Sequence, residues 1–206
     1  MHLILKQYCK RGVFEMNRLW PSIAVGASLA LAACTTAPPP PTRVGMPAAE
    51  PAPLPYRWTQ GNAPEAYKAM RTTFGKAWLA PGEYLWVPNI PAEGETKIVA
   101  DLLTQMAYVY RGEQLIGVAS ISSGKKGKET QLGFWEILEK RKVYFSKKYD
   151  DAPMPFMQRI DKFGIAFHAG KNPGYPASRG CIRLPHKFAE QLYTLTKIGS
   201  KVIIEG

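Results

Sequence analysis

Residues 164–185 read GIAFHAGKNPGYPASRGCIRLP. An apolar run ends on His168, a loop with Gly170, Pro173, Gly174, Pro176 and Gly180 follows, and Cys181 stands thirteen residues after the histidine. A loop of this composition is made for sharp turns. It can return on itself and bring an imidazole within hydrogen-bond reach of a thiol, as a cysteine–histidine nucleophile requires. The imidazole takes the thiol proton and the thiolate attacks a carbonyl carbon. Gly180 lets the backbone come close to a reacting group, so the amides around Cys181 are candidate donors to an oxyanion.

Outward from this stretch, short strand-like runs dominate. Residues 97–101 and 106–111 flank a turn, Gly112-Glu113 makes another before 114–122, and 133–138, 143–145, 156–160 and 164–168 continue the pattern. Pro185 opens a helix in which Phe188, Leu192 and Leu195 share a face, with Lys197 and Gly199 in the stop positions; residues 201–205 form a last strand. Upstream, Asn62 as N-cap with Glu65 three residues on predicts a helix from Ala63 to about Trp78, and Tyr67, Met70, Phe74 and Trp78 recur at helical spacing for packing. No internal repeat is visible. The expected fold is mostly β with one or two helices, a compact β-sandwich or open barrel.

The chain has 206 residues, 46% hydrophobic and 21% charged, which is room for one domain plus extra chain. Residues 19–33, LWPSIAVGASLALAA, carry no charge and follow Lys6, Lys10, Arg11 and Arg18. Fifteen residues are too few for a mature membrane span and suit the apolar part of a signal peptide. The run ends in Leu31-Ala32-Ala33-Cys34, and Met16 would begin a shorter leader. Residues 35–56 are so rich in proline that they favour a semi-rigid polyproline tether. The expected organisation is a leader at 1–33, a tether at 34–60, a helical or extended segment at 61–96 and a catalytic domain at 97–206. The net charge of +11 becomes +8 once the leader is removed, with 23 cations and 15 anions remaining. Cys181 is then the one thiol left besides Cys34. In an exported protein such a cysteine is either an inert buried side chain or a nucleophile.

At these residues the chain resembles two known families. Leu31-Ala32-Ala33-Cys34 resembles the lipobox of bacterial lipoproteins, which implies cleavage before Cys34 and acylation of it. His168, Gly174, Ser178, Gly180, Cys181 and Arg183 resemble the motif of the L,D-transpeptidases of the YkuD type, which reads His, a Gly-bearing loop, then Ser-His-Gly-Cys-x-Arg. The segments IVADLLTQMAYVY, ISSGKKGKETQLGFWEIL and MPFMQRI agree, so the resemblance covers about residues 97–206. It implies a cysteine acyl-enzyme on the peptide stem of peptidoglycan, formed at the bond between the L-centre of a diamino acid and a terminal D-Ala, with an amine as acceptor. By resemblance Cys181 is the nucleophile and His168 the base. The carbonyl of Ala169 orients the ring, and Arg183, Ser178 and Tyr175 meet the substrate.

The chain departs from the motif twice. Arg179 replaces the motif's histidine; pointing inward it would stabilise a thiolate, pointing outward it is a solvated charge. Thr130-Gln131-Leu132-Gly133 stands where the family has Thr-Pro-x-Gly, which concerns the local turn. His186 reads as a surface residue. Lysines and arginines crowd residues 125–148, but an exported, lipid-anchored protein meets no nucleic acid, so a solvated face or attraction to an anionic envelope is the expected role. No metal-ligand spacing, phosphate loop or glycosidase-like carboxylate pair is present, so neither metal nor cofactor is expected. A monomer held by Cys34 to a membrane is expected, on the periplasmic face of the outer membrane because Thr35 is not Asp. Two alternatives stay open: an L,D-carboxypeptidase or hydrolase acting on the same bond, and an inactive wall-binding lipoprotein.

Overall fold

The computed structural model describes residues 55–206. The expected leader, the lipidated Cys34 and most of the tether lie outside the described residues. Twelve elements follow in chain order: α1 (Asn62–Phe74), β1 (Tyr84–Trp86), β2 (Thr96–Asp101), β3 (Met106–Arg111), β4 (Gln114–Ser120), β5 (Gly133–Glu136), β6 (Glu139–Arg141), β7 (Met157–Arg159), β8 (Ala166–Ala169), β9 (Ile182–Leu184), α2 (His186–Leu195) and β10 (Lys201–Glu205). They build a six-stranded sheet in the order β1–β4–β3–β2–β10–β5 and a four-stranded sheet in the order β6–β7–β8–β9.

The large sheet is apolar on both faces, and the two-residue period of a strand explains how one run serves two cores. Ile98, Ala100, Ala107, Val109, Val202 and Ile204 face the small sheet and α2, where they meet Phe167, Ile182, Leu184, Phe188 and Leu192. Their alternates Val99, Tyr108, Val118 and Ile203 face away and pack on Ala63, Ala66 and Met70 of α1. The small sheet, with α2 behind it, presents the other face of β8 and β9 outward, and there the candidate residues gather.

The first helix differs from expectation at both ends. No side chain of its own caps it; the backbone turns in through Gly61 in the left-handed conformation. The Glu205 carboxylate from β10 accepts from the amides of Gln60, Asn62 and Ala63, from Asn62 Nδ2 and from Thr59 Oγ1, at 2.7–3.2 Å. A negative charge at a helix N-terminus satisfies its orphan donors and its dipole. Glu65, expected to close a capping box, pairs with Lys68 instead. The helix stops at Phe74 because Gly75 adopts φ 64° and returns its amide to Arg71; Trp78 lies beyond it, 69% exposed. Residues 57 and 58, counted with the tether above, donate to the carbonyl of Gly206 at 2.7 and 2.9 Å and so belong to the domain.

Two strand expectations change as well. The run at 133–138 leaves the large sheet after Glu136: the Ile137 amide still donates to Ser200, but that of Leu138 donates to Arg159 in the small sheet. Residues 143–145 form no ladder beyond a single bridge from Phe145 to Pro153. Pro153 and Pro155 opposite them have no amide to give. Three three-residue strands, β1, β6 and β9, lie outside the runs expected from the sequence.

Candidate active site

The site is made by β8 and β9, which run parallel with Phe167 opposite Ile182 and His168 opposite Arg183. Phe167, Ile182 and Leu184 point into the core, so the alternates His168, Cys181 and Arg183 are left to line a cleft of about 730 Å³ on the outer face. Cys181 immediately precedes β9 and stands two residues before Arg183, the partner of His168, so it shares the cleft wall with His168.

His168 is 8% exposed, and its Nδ1 lies 2.8 Å from the carbonyl oxygen of Ala169. A carbonyl only accepts, so Nδ1 carries the hydrogen and Nε2 is the free acceptor. Burial pulls the imidazole down to about 4, helped by the neighbouring Arg183 charge and opposed by the Ala169 bond. Cys181 rests on Met154, Met157, Ala166 and Tyr144, and this apolar bed pushes its thiol above the ordinary value. The sulfur's hydrogen bond in this state goes to the Gly164 carbonyl at 3.6 Å. Burial thus raises the thiol and lowers the imidazole, and both shifts work against a resting ion pair. The resting pair is therefore neutral.

The turn carrying the cysteine is clasped from inside. Ser178, 1% exposed, donates from Oγ to the Cys181 carbonyl and accepts the Gly180 amide at 3.0 Å. Thr130 Oγ1 donates to the Gly180 carbonyl at 2.8 Å and accepts the Gly124 amide at 2.9 Å. Gly180 itself sits at φ 121° with Ile165 against its α-carbon, a position closed to other residues. The main chain of residues 122–124 completes the cradle, with Ser122 exchanging both bonds with Arg183 and Ser123 accepting the amides of Ala177 and Ser178.

Three of the expected site residues have hydrogen-bond partners of their own. The Gly180 amide is spent on Ser178 and is no oxyanion donor, which leaves the amide of Cys181 itself, without an acceptor among the described residues. Ser178 lines the cleft, but its hydroxyl is taken up by the clasp. Tyr175 is 60% exposed and lies outside the cleft wall; its carbonyl accepts from Ser122 Oγ at 2.8 Å, so its backbone holds the loop. Arg183 does line the cleft, and among the described residues no carboxylate pairs with it. Arg179 is exposed at the cleft wall with its guanidinium 4.7 Å above the Tyr149 ring. His186 reaches the rim, edge-on to Phe156. Two residues of the site carry no sequence signal of their own: Tyr149, in the cleft wall, belongs to no motif, and Thr130 stands in a departure from the family's turn although its hydroxyl holds the turn before Cys181. Among the described residues no group of three His, Cys, Asp or Glu is arranged to hold a metal, and no helix is long and apolar enough to cross a membrane.

Fold and site together define a two-sheet domain with a buried histidine and a thiol on adjacent parallel strands of an open cleft. The chain matches the L,D-transpeptidase catalytic domain, YkuD, over residues 95–204, more than half its length, and it belongs to that family. Among solved structures it is similar to an L,D-transpeptidase from Stackebrandtia nassauensis, at 25% identity and a TM-score of 0.51, over 58% of this chain and 59% of that one. It is similar in fold to an L,D-transpeptidase from Mycobacterium tuberculosis H37Rv, at 21% identity and a TM-score of 0.52, over 54% of this chain and 58% of that one. The chain thus spans less than two thirds of the length of these relatives. None of the curated proteins matches it.

Proposed function

We propose that the protein is a peptidoglycan L,D-transpeptidase with Cys181 as nucleophile and His168 as base. The observation that carries the reading is the free Nε2 of a neutral, carbonyl-oriented His168 on the strand beside Cys181, in a family of catalytic domains. As the thiol attacks the carbonyl of the diamino acid's L-centre, its proton passes to Nε2, and the oxyanion is met by the Cys181 amide. Collapse of the tetrahedral adduct breaks the bond to the terminal D-residue, whose amine leaves with the proton from Nε2, and a thioester remains. An acceptor amine then gives a proton to Nε2, attacks the thioester and releases the thiol. Arg183, beside His168 and without an acid partner among the described residues, holds a substrate carboxylate. Cys34 carries the lipid anchor, and the anchored domain faces the periplasm from the outer membrane.

Incubating the purified protein with muropeptides of defined stem, with and without an added D-amino acid, tests this by product mass. Exchange or cross-linked products are expected. Release of D-Ala without any transfer product would make the protein a hydrolase, and no change to any stem would remove the catalytic reading.

A further inference from the structure

We propose that Arg179 is a specificity-determining residue that reads a second carboxylate on the acyl donor, so that the protein selects stems whose diamino acid keeps its free acid over stems amidated there. This rests on the function proposed above. Arg179 stands two residues before the nucleophile and Arg183 two after it, and both line the cleft. The Arg179 guanidinium stacks on Tyr149 at 4.7 Å. Stacking occupies the face of that planar group and leaves its in-plane N–H donors free for a two-toothed contact with a carboxylate. No hydrogen bond or ion pair uses them among the described residues.

The rest of the cleft favours the same charge. Lys125 and Lys171 also line it, and no Asp or Glu does. Asp161, the acid whose charge reaches the thiol, gives its carboxylate to the amides of Phe163 and Ile165. A cleft lined by one sign of charge focuses the field on an anion of the other sign. The leaving D-residue brings one carboxylate, which one guanidinium serves. The other guanidinium, on the opposite side of Cys181, then faces the acyl half of the donor, where diaminopimelate carries an acid that lysine lacks and amidation removes. Tyr149 is the platform that keeps Arg179 from collapsing onto the surface.

The test uses two synthetic tetrapeptides ending in diaminopimelate–D-Ala that differ only in whether the side-chain acid is free or amidated. Amidation is expected to lower kcat/KM about tenfold, mainly through KM, since the contact lies at an exposed wall. In Arg179→Gln the ratio between the donors falls to near one, and Arg179→Lys, which keeps the charge but not the stacked planar fork, restores only part of it. A purely structural role for Arg179 would lower both donors alike and leave the ratio where it was. Binding of the same two peptides to Cys181→Ala, by calorimetry, makes the comparison without turnover, so failure of the nucleophile assignment does not hide the answer. Equal affinity and kcat/KM for the two donors, or a ratio unchanged in Arg179→Gln, would overturn the proposal.

Discussion

Replacing Ser178 with alanine removes one oxygen and breaks two bonds on which the nucleophile's position depends. The hydroxyl donates to the Cys181 carbonyl and accepts the Gly180 amide, and the residue is 1% exposed, so water does not take its place at the surface. Each main-chain group left without a partner costs about 1–3 kcal/mol, and the two together about 3 kcal/mol. In a domain of this size that lowers Tm by about 6–12 °C. The larger effect falls on reactivity, because a thiol displaced by ~1 Å from its line of attack loses about a hundredfold in rate. Thermal unfolding reads the first quantity, and the rate at which a β-lactam, whose strained carbonyl acylates a thiol, adds its mass to the protein reads the second. Tyr175→Ala serves as control, since that side chain is exposed and outside the cleft wall; both quantities stay within twofold or a degree or two. An unchanged Tm with acylation within threefold of wild type in Ser178→Ala would show that the clasp does not position the cysteine.

Three further outcomes are expected. Glu205 is buried, which alone would raise its carboxyl, but the bonds from Ala63, Gln60, Thr59 and Asn62 outweigh this and hold it below the ordinary value. Its contribution is therefore present above about pH 4.3 and is lost as pH falls from there through the lowered value; Glu205→Gln costs about 2 kcal/mol at neutral pH and flattens that acid limb in denaturant titrations, whereas an unchanged limb would assign it to another group. Gly180→Ala forces an L-residue to φ 121° and a Cβ within 2.5 Å of Ile165, costing about 1–3 kcal/mol and most of the acylation rate, read by denaturation and adduct mass; wild-type acylation would mean that the turn relaxes freely. Cys34→Ala leaves the domain folded but moves the protein out of the membrane fraction, and retention after a carbonate wash would refute the lipid anchor.

What was legible in the sequence was whatever a spacing or a motif could carry. The alternation in residues 97–111 and 201–205 marks the large sheet because one two-residue period serves both cores, and the histidine–glycine–cysteine spacing marks the site because two parallel strands must be joined by a long loop. Features set by distant partners were hidden. Nothing near Asn62 says that its helix is capped from Glu205, 143 residues away. The apolar spacing ran on to Trp78 although Gly75, a local stop signal, stood inside it. The clasp needed Ser178 and Thr130 to meet a glycine's two main-chain groups, which motif residues alone do not reveal. The wall formed by Tyr149 and Arg179 joins a loop without regular structure to a position where the chain departs from its family. Charge was legible as a sum and illegible as a place: the lysines at 125–148 read as a solvated face, yet Lys125 belongs to the cleft.

The claim on which the rest depends is that Cys181 acts as a nucleophile drawn from a neutral pair with His168. The most direct measurement is the rate at which iodoacetamide modifies the Cys181 peptide as a function of pH, followed by mass spectrometry in wild type and in His168→Ala. A neutral pair with a thiol raised by burial predicts a rate that climbs through pH 7 and reaches half its limit above about 8.5, the value of an unperturbed thiol. The same measurement in His168→Ala should keep that climb, because the imidazole, at about 4, is neutral throughout. A fast plateau from pH 5 to 8 that disappears in His168→Ala would mean a standing thiolate–imidazolium pair and would contradict the account.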